Sequence, residues 1–447
     1  MDPGLTIVGG GLAGSEAAFQ AARRGINVRL FEMRPARSTG AHVTPYLAEL
    51  VCSNSLGSKL KDRATGLLRA ELEILGSLLV EVAGDTQVPA GGAMAVDRQR
   101  FAEEVTRRLQ EHPRVEIIRE EVTAIPDSPC ILASGPLTSP PFAHALASFT
   151  GEDNLYFYDA LAPIVTAESI NMNIAYRASR YDRGEQPEGD YINCPLNAVQ
   201  YQAFVEALLT AERVRLHDFE SEISAGVTRA GKNYFEGCLP IEVIAERGER
   251  SLAYGPMRPV GLDDPRTGRW PHAVLQLRQD NAAGTLYNLV GFQTNLTYKE
   301  QDRVLRMIPG LEQAEFVRYG QMHRNTFINS PDVLKPTLES KVKANLWIAG
   351  QLCGVEGYMG NIATGLVAGS NAAHALAGKA PLVLPQETML ASLLYYITSA
   401  DPANFQPMKA NFGLMLPLED GVKRNKRQRA QAYAARSLTT LEKTNFD

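Results

Sequence analysis

Two of the five cysteines, Cys52 in AELVCSNSLGS and Cys238 in NYFEGCLPIEV, sit among polar and turn-forming neighbours, where a thiol can meet a substrate. A thiol of ordinary pKa, about 8.5, is only a few per cent thiolate at neutral pH, so a reactive one needs a base or positive charge beside it. Glu236 and Glu242 would oppose that at Cys238 if they were also close in space. Cys130 and Cys353 lie in apolar, strand-like runs and read as small buried hydrophobes, while Cys194, before Pro195, is ambiguous. The cysteine count is odd and no CxxC pair occurs. That excludes a disulfide framework and a zinc knuckle, predicts no metal site, and suggests reduced thiols in a cytoplasm.

The second constellation is a glycine turn. Leu5 to Val8 is a short apolar run ending in Gly9, Gly10, Gly11, Leu12, Ala13 and Gly14, after which Ala17, Ala18, Ala21 and Ala22 recur at helical spacing. Gly25 stops that helix, and Asn27 to Phe31 reads as a second strand before Glu32. Gly9, Gly11 and Gly14 match GxGxxG: one permits the turn, one lets backbone amides approach a pyrophosphate, one lets helix pack on strand. The helix N-terminus then faces the phosphates with its partial positive charge. Glu32, 18 residues beyond Gly14, is placed to accept hydrogen bonds from ribose hydroxyls. This spacing predicts a dinucleotide without separating NAD from FAD.

Two further segments favour FAD. Ile131 to Gly135, followed by Pro136, resembles the strand that closes the first half of the nucleotide domain in two-dinucleotide flavoproteins. Late in the chain, LWIAGQLCGVEGYMGNIATGLVAG begins with the apolar run Leu346 to Ala349, turns at Gly350 and starts a small-residue helix around Ala363 to Ala373. That helix N-terminus could hold the other end of the cofactor. The expected fold is α/β: a Rossmann-like FAD-binding domain of the two-dinucleotide type, with an inserted α+β domain.

The elements around these bookends support that division. Phe101, Val105 and Leu109 share one face of a helix over Asp97 to His112, and Val115 to Ile118 resumes as a strand. Between about 145 and 325 the texture changes to short strand-like runs, prolines and turns such as Asp264-Pro265-Arg266-Thr267-Gly268. The boundaries drawn are 1–144 and 326–385 for the FAD domain, 145–325 for the insert, and 386–447 for a helical C-terminal segment. Met389, Leu390, Leu393, Leu394 and Ile397 give that segment its helical pattern.

Hydrophobic residues at 45% and charged residues at 21% are ordinary globular usage, enough for a sizeable core. A net charge of −5 excludes a generally basic nucleic-acid coat but not a local patch. The tail GVKRNKRQRAQAYAARS supplies one candidate: Lys423, Arg424, Lys426, Arg427 and Arg429 could neutralise RNA phosphates, the alternative being a solvated helix face. No apolar run approaches membrane-spanning length and no signal-like leader is seen, so neither membrane association nor export is expected.

The segments GGGLAGSEAA, LFEMRP, AELVCSNSL, PAGGAMAVDR, FEGCLPIEVIAERG, GPMRPVGLDDPRTG, YGQMHRNTFINSP and GVEGY occur in this order over nearly the whole chain. Together they resemble the bacterial folate- and FAD-dependent tRNA (uracil-5-)-methyltransferases. A related family, the large subunit of the wobble-uridine carboxymethylaminomethyl enzyme, shares the glycine turn and a GxEGY-like segment but is longer, with a helical C-terminal domain not expected here. The resemblance implies C5-methylation of the T-loop uridine of tRNA, with FAD bound, methylenetetrahydrofolate as carbon donor and NAD(P)H as a diffusing reductant. It also implies that Cys238 is similar to the uracil-attacking thiol and Cys52 to the second functional cysteine, without dividing their roles. His323 resembles the histidine that stacks on the folate pterin, and Gly350, Gly357 and Tyr358 fall at the flavin. One departure stands out: Gly360 and Asn361 occupy positions where Glu-Ser is expected.

Overall fold

The computed structural model describes residues 4–39, 41–127, 129–151, 155–214, 239–418 and 425–444, with backbone alone at 155–160 and 322–324. Both ends of the chain build one parallel sheet. Its five strands run in the order Leu346–Ile348, Cys130–Leu132, Leu5–Val8, Val28–Phe31, Val115–Ile118. A parallel sheet covered on both faces demands near-continuous apolar strands, which is why LTIV and LWI carry no polar alternation beyond Thr6.

The helix Leu12–Arg23 follows the first strand, and the 19-residue helix Tyr358–Leu376 crosses it. Their backbones approach through small residues. A Cβ on Gly365 would stand 2.3 Å from Ala13 O and one on Gly369 2.4 Å from Ala17 O, so no larger side chain fits the crossing. The expected helix after Asp97 runs over Arg98–Gln110, with the Asp97 carboxylate accepting from Arg100 N at 3.0 Å and Phe101, Val105 and Leu109 buried.

Residues between 165 and 314 form a separate buried cluster. Its sheet has six strands in the order Tyr176–Ala178, Tyr191–Leu196, Ala273–Gln279, Leu286–Leu289, Ile164–Thr166, Phe316–Arg318, all paired antiparallel. Leu155–Ala160 and Met322–Phe327 pair antiparallel, so the chain enters and leaves this unit through one two-stranded ribbon.

Behind the parallel sheet, Ala64–Ile74 packs against Met389–Ser399 and against the C-terminal helix Lys426–Glu442. The junction is polar and buried. Glu71 accepts from Met389 N and Leu390 N at 2.7 and 2.8 Å and from the Ser437 hydroxyl, capping one helix while tethering the other. Burial pushes its carboxyl up to about 7, against the pull of those hydrogen bonds. Among the described residues no helix is long and apolar enough to cross a membrane.

Candidate functional site

The glycine turn is forced by contacts rather than merely permitted. Gly9 has φ +102°, and a Cβ there would lie 2.4 Å from Ala133 O; on Gly14 it would lie 1.8 Å from Gly9 O. Gly11 differs. It caps the helix in an extended conformation, and a Cβ on it would meet nothing within 4 Å. The turn is therefore closed toward the protein and open toward one side, where the first amides of Leu12–Arg23 point. That arrangement suits a diphosphate.

The open side is a cleft with about 1220 Å³ of empty space reaching solvent. Nine of the residues singled out in the sequence line it: Gly9, Gly10, Gly11, Leu12, Ala13, Glu32, Cys52, Gly350 and Tyr358. Gly14 and Gly357 stand behind the wall and shape it. Gly357, φ +82°, precedes the N-terminus of Tyr358–Leu376, and Gly350, φ +79°, packs where a Cβ would be 2.9 Å from the Ala13 methyl. At the positions where Glu-Ser is expected, Asn361 lines the cleft and bonds Gly357 O at 3.1 Å, and Gly360 packs on Val355. The site thus keeps a polar lining there without a carboxylate.

Glu32 ends its strand as expected but is already engaged. One carboxylate oxygen accepts from Gly10 N at 3.0 Å, the other from Arg34 N and Nε at 3.0 and 2.9 Å. Burial pushes this carboxyl up, but the Arg34 hydrogen bonds and charge overcome it and hold it below the ordinary carboxylate range. Arg34 also reaches Glu49 at 2.9 Å, so one buried guanidinium ties two acids on the cleft wall. His42, beside them, is pushed down to about 4 by burial and by the Arg34 charge.

Cys52 is half-buried and also lines the cleft. Tyr358 Oη accepts from Cys52 N and Ser53 N at 2.8 and 3.2 Å, joining the thiol loop to the late glycine segment. Burial, followed by the Cys52 charge, pushes the Tyr358 phenol well above its usual range. The other described thiols differ: Cys130, Cys194 and Cys353 are fully buried, and burial pushes Cys130 up to about 11 and Cys353 up to about 12. Cys194, ambiguous in sequence, belongs with them, raised by the same burial.

The remaining expected residues are either outside the described lining or outside the described residues. Cys238, Lys423 and Arg424 lie outside the described residues. His323 occupies the ribbon strand opposite Asp159, described by its backbone only. Lys426, Arg427 and Arg429 are exposed at the start of the C-terminal helix, away from the cleft lining, with Arg427 3.3 Å from Asp62. Glu242, suspected of opposing Cys238, is fully buried; burial raises its pKa, and it accepts from Thr294 Oγ1 and Asn295 N at 2.9 and 2.6 Å.

The sequence reading missed Arg34, His42 and Glu49 on one wall, and Arg98, Arg278, Asp280 and Arg318 around the thiol loop. Arg34 and Arg98 fall inside or next to the quoted segments LFEMRP and PAGGAMAVDR, which was the available signal. Arg278 and Arg318 sit in strands whose spacing says nothing about the seam they face. Among the described residues no group of three or more His, Cys, Asp or Glu is placed to hold a metal.

Comparison with known proteins identifies the family. The family model described as "Glucose inhibited division protein A" matches residues 4–380. The chain is 55% identical over 438 residues to the methylenetetrahydrofolate–tRNA-(uracil-5-)-methyltransferase TrmFO of Anoxybacillus flavithermus, covering 98% of each chain. It is 57% identical over 439 residues to the protein of the same name from Moorella thermoacetica, covering 98% of this chain and 97% of that one. Aquifex aeolicus GidA has a similar fold, with a TM-score of 0.68 at 16% identity over 98% of this chain and 73% of that one. The chain belongs to the glucose inhibited division protein A family and, within it, to the methylenetetrahydrofolate–tRNA-(uracil-5-)-methyltransferases.

Proposed function

We propose that this protein is an FAD-containing enzyme that methylates carbon 5 of the T-loop uridine of tRNA, taking the carbon from methylenetetrahydrofolate. The observation that carries the reading is that a half-buried thiol, Cys52, shares one cleft with a glycine turn shaped for a diphosphate. Near full-length identity to named methyltransferases supplies the substrate class.

The residues present fit the cofactor. The amides of Gly11, Leu12 and Ala13 would hold its pyrophosphate, Glu32 its ribose, and the turn from Gly350 to Tyr358 its flavin end. When bound and reduced, FAD supplies the two electrons that turn a methylene, at the formaldehyde oxidation level, into a methyl. Carbon 5 of uracil is a poor nucleophile, and adding a thiolate to carbon 6 makes the ring an enolate that can attack through carbon 5. Cys238 is assigned that attack by its matching segment, and Cys52 is assigned to the proton that carbon 5 must lose. His323 is assigned to the folate ring, and the basic helix from Lys426, with Lys423 and Arg424 before it, to tRNA phosphates. NAD(P)H would recharge the cofactor from solution, in a cytoplasmic setting.

The test is transfer of labelled carbon from methylenetetrahydrofolate to tRNA by the FAD-loaded protein. Label in a T-loop 5-methyluridine, lost in Cys238→Ala with FAD retained, is the expected result. Flavin turnover without label in RNA would reject the reading in favour of a small-molecule flavin oxidoreductase. Retention of the cellular role by a Cys52→Ala, Cys238→Ala double variant would make it a tRNA-binding module instead.

A further inference from the structure

The loop carrying Cys52 is fastened at consecutive residues by groups from separate parts of the chain. Arg98 Nη1 donates to Leu50 O at 2.8 Å, and Arg318 Nη2 donates to Val51 O at 2.6 Å. Tyr358 Oη receives the next two amides. Arg278 Nε donates to Asn54 Oδ1 at 2.8 Å, while Asn54 Nδ2 donates to Val96 O and Gln279 O at 3.0 and 2.9 Å.

A clamp needs hydrogen bonds but not charge, and burying guanidinium groups is expensive. Three are nevertheless gathered here, with Arg278 only 7% exposed. Among the described residues one carboxylate is hydrogen-bonded to them: Asp280, whose two oxygens accept from Arg98 Nε at 3.0 and 2.9 Å. Asp97 is occupied by Arg100 N and Ala282 N. Just before the loop in sequence, Glu49 shares Arg34 with Glu32, so those charges offset one another, and His42 is neutral at pH 7. Among the described residues a surplus of positive charge is left at the loop. Arg98, Arg278 and Arg318 all lie close enough to Cys52 to interact with its charge, Arg98 and Arg318 with Tyr358 as well. Arg98 Nη2 is buried and has no hydrogen-bond partner among the described residues. A buried N–H of this kind is tolerated where a negative atom comes to face it.

We propose that Arg98, Arg278 and Arg318 are positioning residues that hold Cys52 as a thiolate facing the cleft, ready to take up a proton. The inference rests on the reading that Cys52 belongs to the reaction centre. In that reading the carbon 5–hydrogen bond of the pyrimidine breaks, an S–H bond forms on Cys52, and the electron pair stays with the ring.

The test is the rate of iodoacetamide alkylation at Cys52 as a function of pH, resolved by peptide mass spectrometry on the FAD-containing protein. Cys130, Cys194 and Cys353, all buried, serve as internal controls. Wild-type Cys52 is expected to react faster at pH 7 than a simple thiol. Arg278→Gln and Arg318→Gln are each expected to slow it about tenfold and move the rate profile to higher pH, as removal of one nearby charge dictates. Arg278→Lys restores most of the rate. Circular dichroism and flavin content identify a variant that fails to fold, in which case the other decides. An unchanged profile in the folded Gln variants, or equal slowing in Arg278→Lys, overturns the proposal. Methyl transfer that is absent while the alkylation shift is present would instead overturn the enzymatic reading alone.

Discussion

Gly11 and Gly14 separate what the fold needs from what the cofactor needs. At Gly11 the backbone is extended, φ −73° and ψ −168°, and an added Cβ meets no atom within 4 Å. Gly11→Ala should leave the stability of cofactor-free protein unchanged, or raised by up to about 1 kcal/mol through the unfolded chain. The same methyl would occupy the open space beside the turn, where the proposed pyrophosphate would approach. Losing one charge-assisted hydrogen bond there costs about 2 kcal/mol, roughly thirtyfold in FAD affinity. Gly14→Ala is the reverse case. Its Cβ would be 1.8 Å from Gly9 O, so strand and helix must part by more than an ångström, and overpacking of this kind costs at least about 1–3 kcal/mol with or without cofactor. FAD titration of deflavinated protein and thermal melts of both variants make the comparison. Wild-type FAD affinity in Gly11→Ala, or a destabilised cofactor-free Gly11→Ala, would refute the placement of the diphosphate.

Other consequences can be measured separately. The folded value of His42, about 4, lies below its ordinary 6.5, so the unfolded chain takes up a proton that the native one refuses; stability is full above pH 6.5 and falls toward pH 4, by at most about 3 kcal/mol. His42→Gln should flatten that window in denaturant titrations, and an unchanged pH dependence would contradict the burial argument. Tyr358→Phe removes the acceptor of two amides and should lower stability by about 1–3 kcal/mol, read as a shifted urea midpoint at constant slope. Ser437→Ala removes a bond to buried Glu71 and should speed tryptic cutting within 425–444 before the core melts; equal protection would show that the tether is idle. Replacing Lys426, Arg427 and Arg429 with Ala should weaken tRNA binding and flatten its salt dependence by up to about one unit of slope for each phosphate no longer neutralised. An unchanged slope would make this helix an ordinary solvated face.

Local chemistry was legible in the sequence wherever one short segment determines it. GGGLAG can only turn one way, so Gly9, Gly11 and Gly14 announced strand, turn and helix, and the small residues after Gly350 announced the late helix, though not its close crossing with the first one. Cys130 and Cys353 betrayed their burial through their apolar neighbours. What the chain did not reveal is what depends on two distant segments meeting. Arg278 and Arg318 look like any strand arginine until folding brings them against residues 50–54, more than two hundred positions away. Arg34 likewise reads as a charged residue before Pro35 and becomes a bridge between two buried acids only when Glu49 returns beside it. The engagement of Glu32 by its own neighbour, two residues on, was hidden for a different reason: spacing gives a carboxylate's position but not its partners.

Reduced FAD, proposed to bind in this cleft, is expected to reduce the transferred carbon. The alternative electron source is the folate itself, which would leave as dihydrofolate. An anaerobic single turnover with reduced holoprotein, labelled methylenetetrahydrofolate and tRNA distinguishes them. One flavin oxidised per 5-methyluridine formed, with tetrahydrofolate as product, is the predicted result; methyluridine appearing while the flavin stays reduced would contradict it.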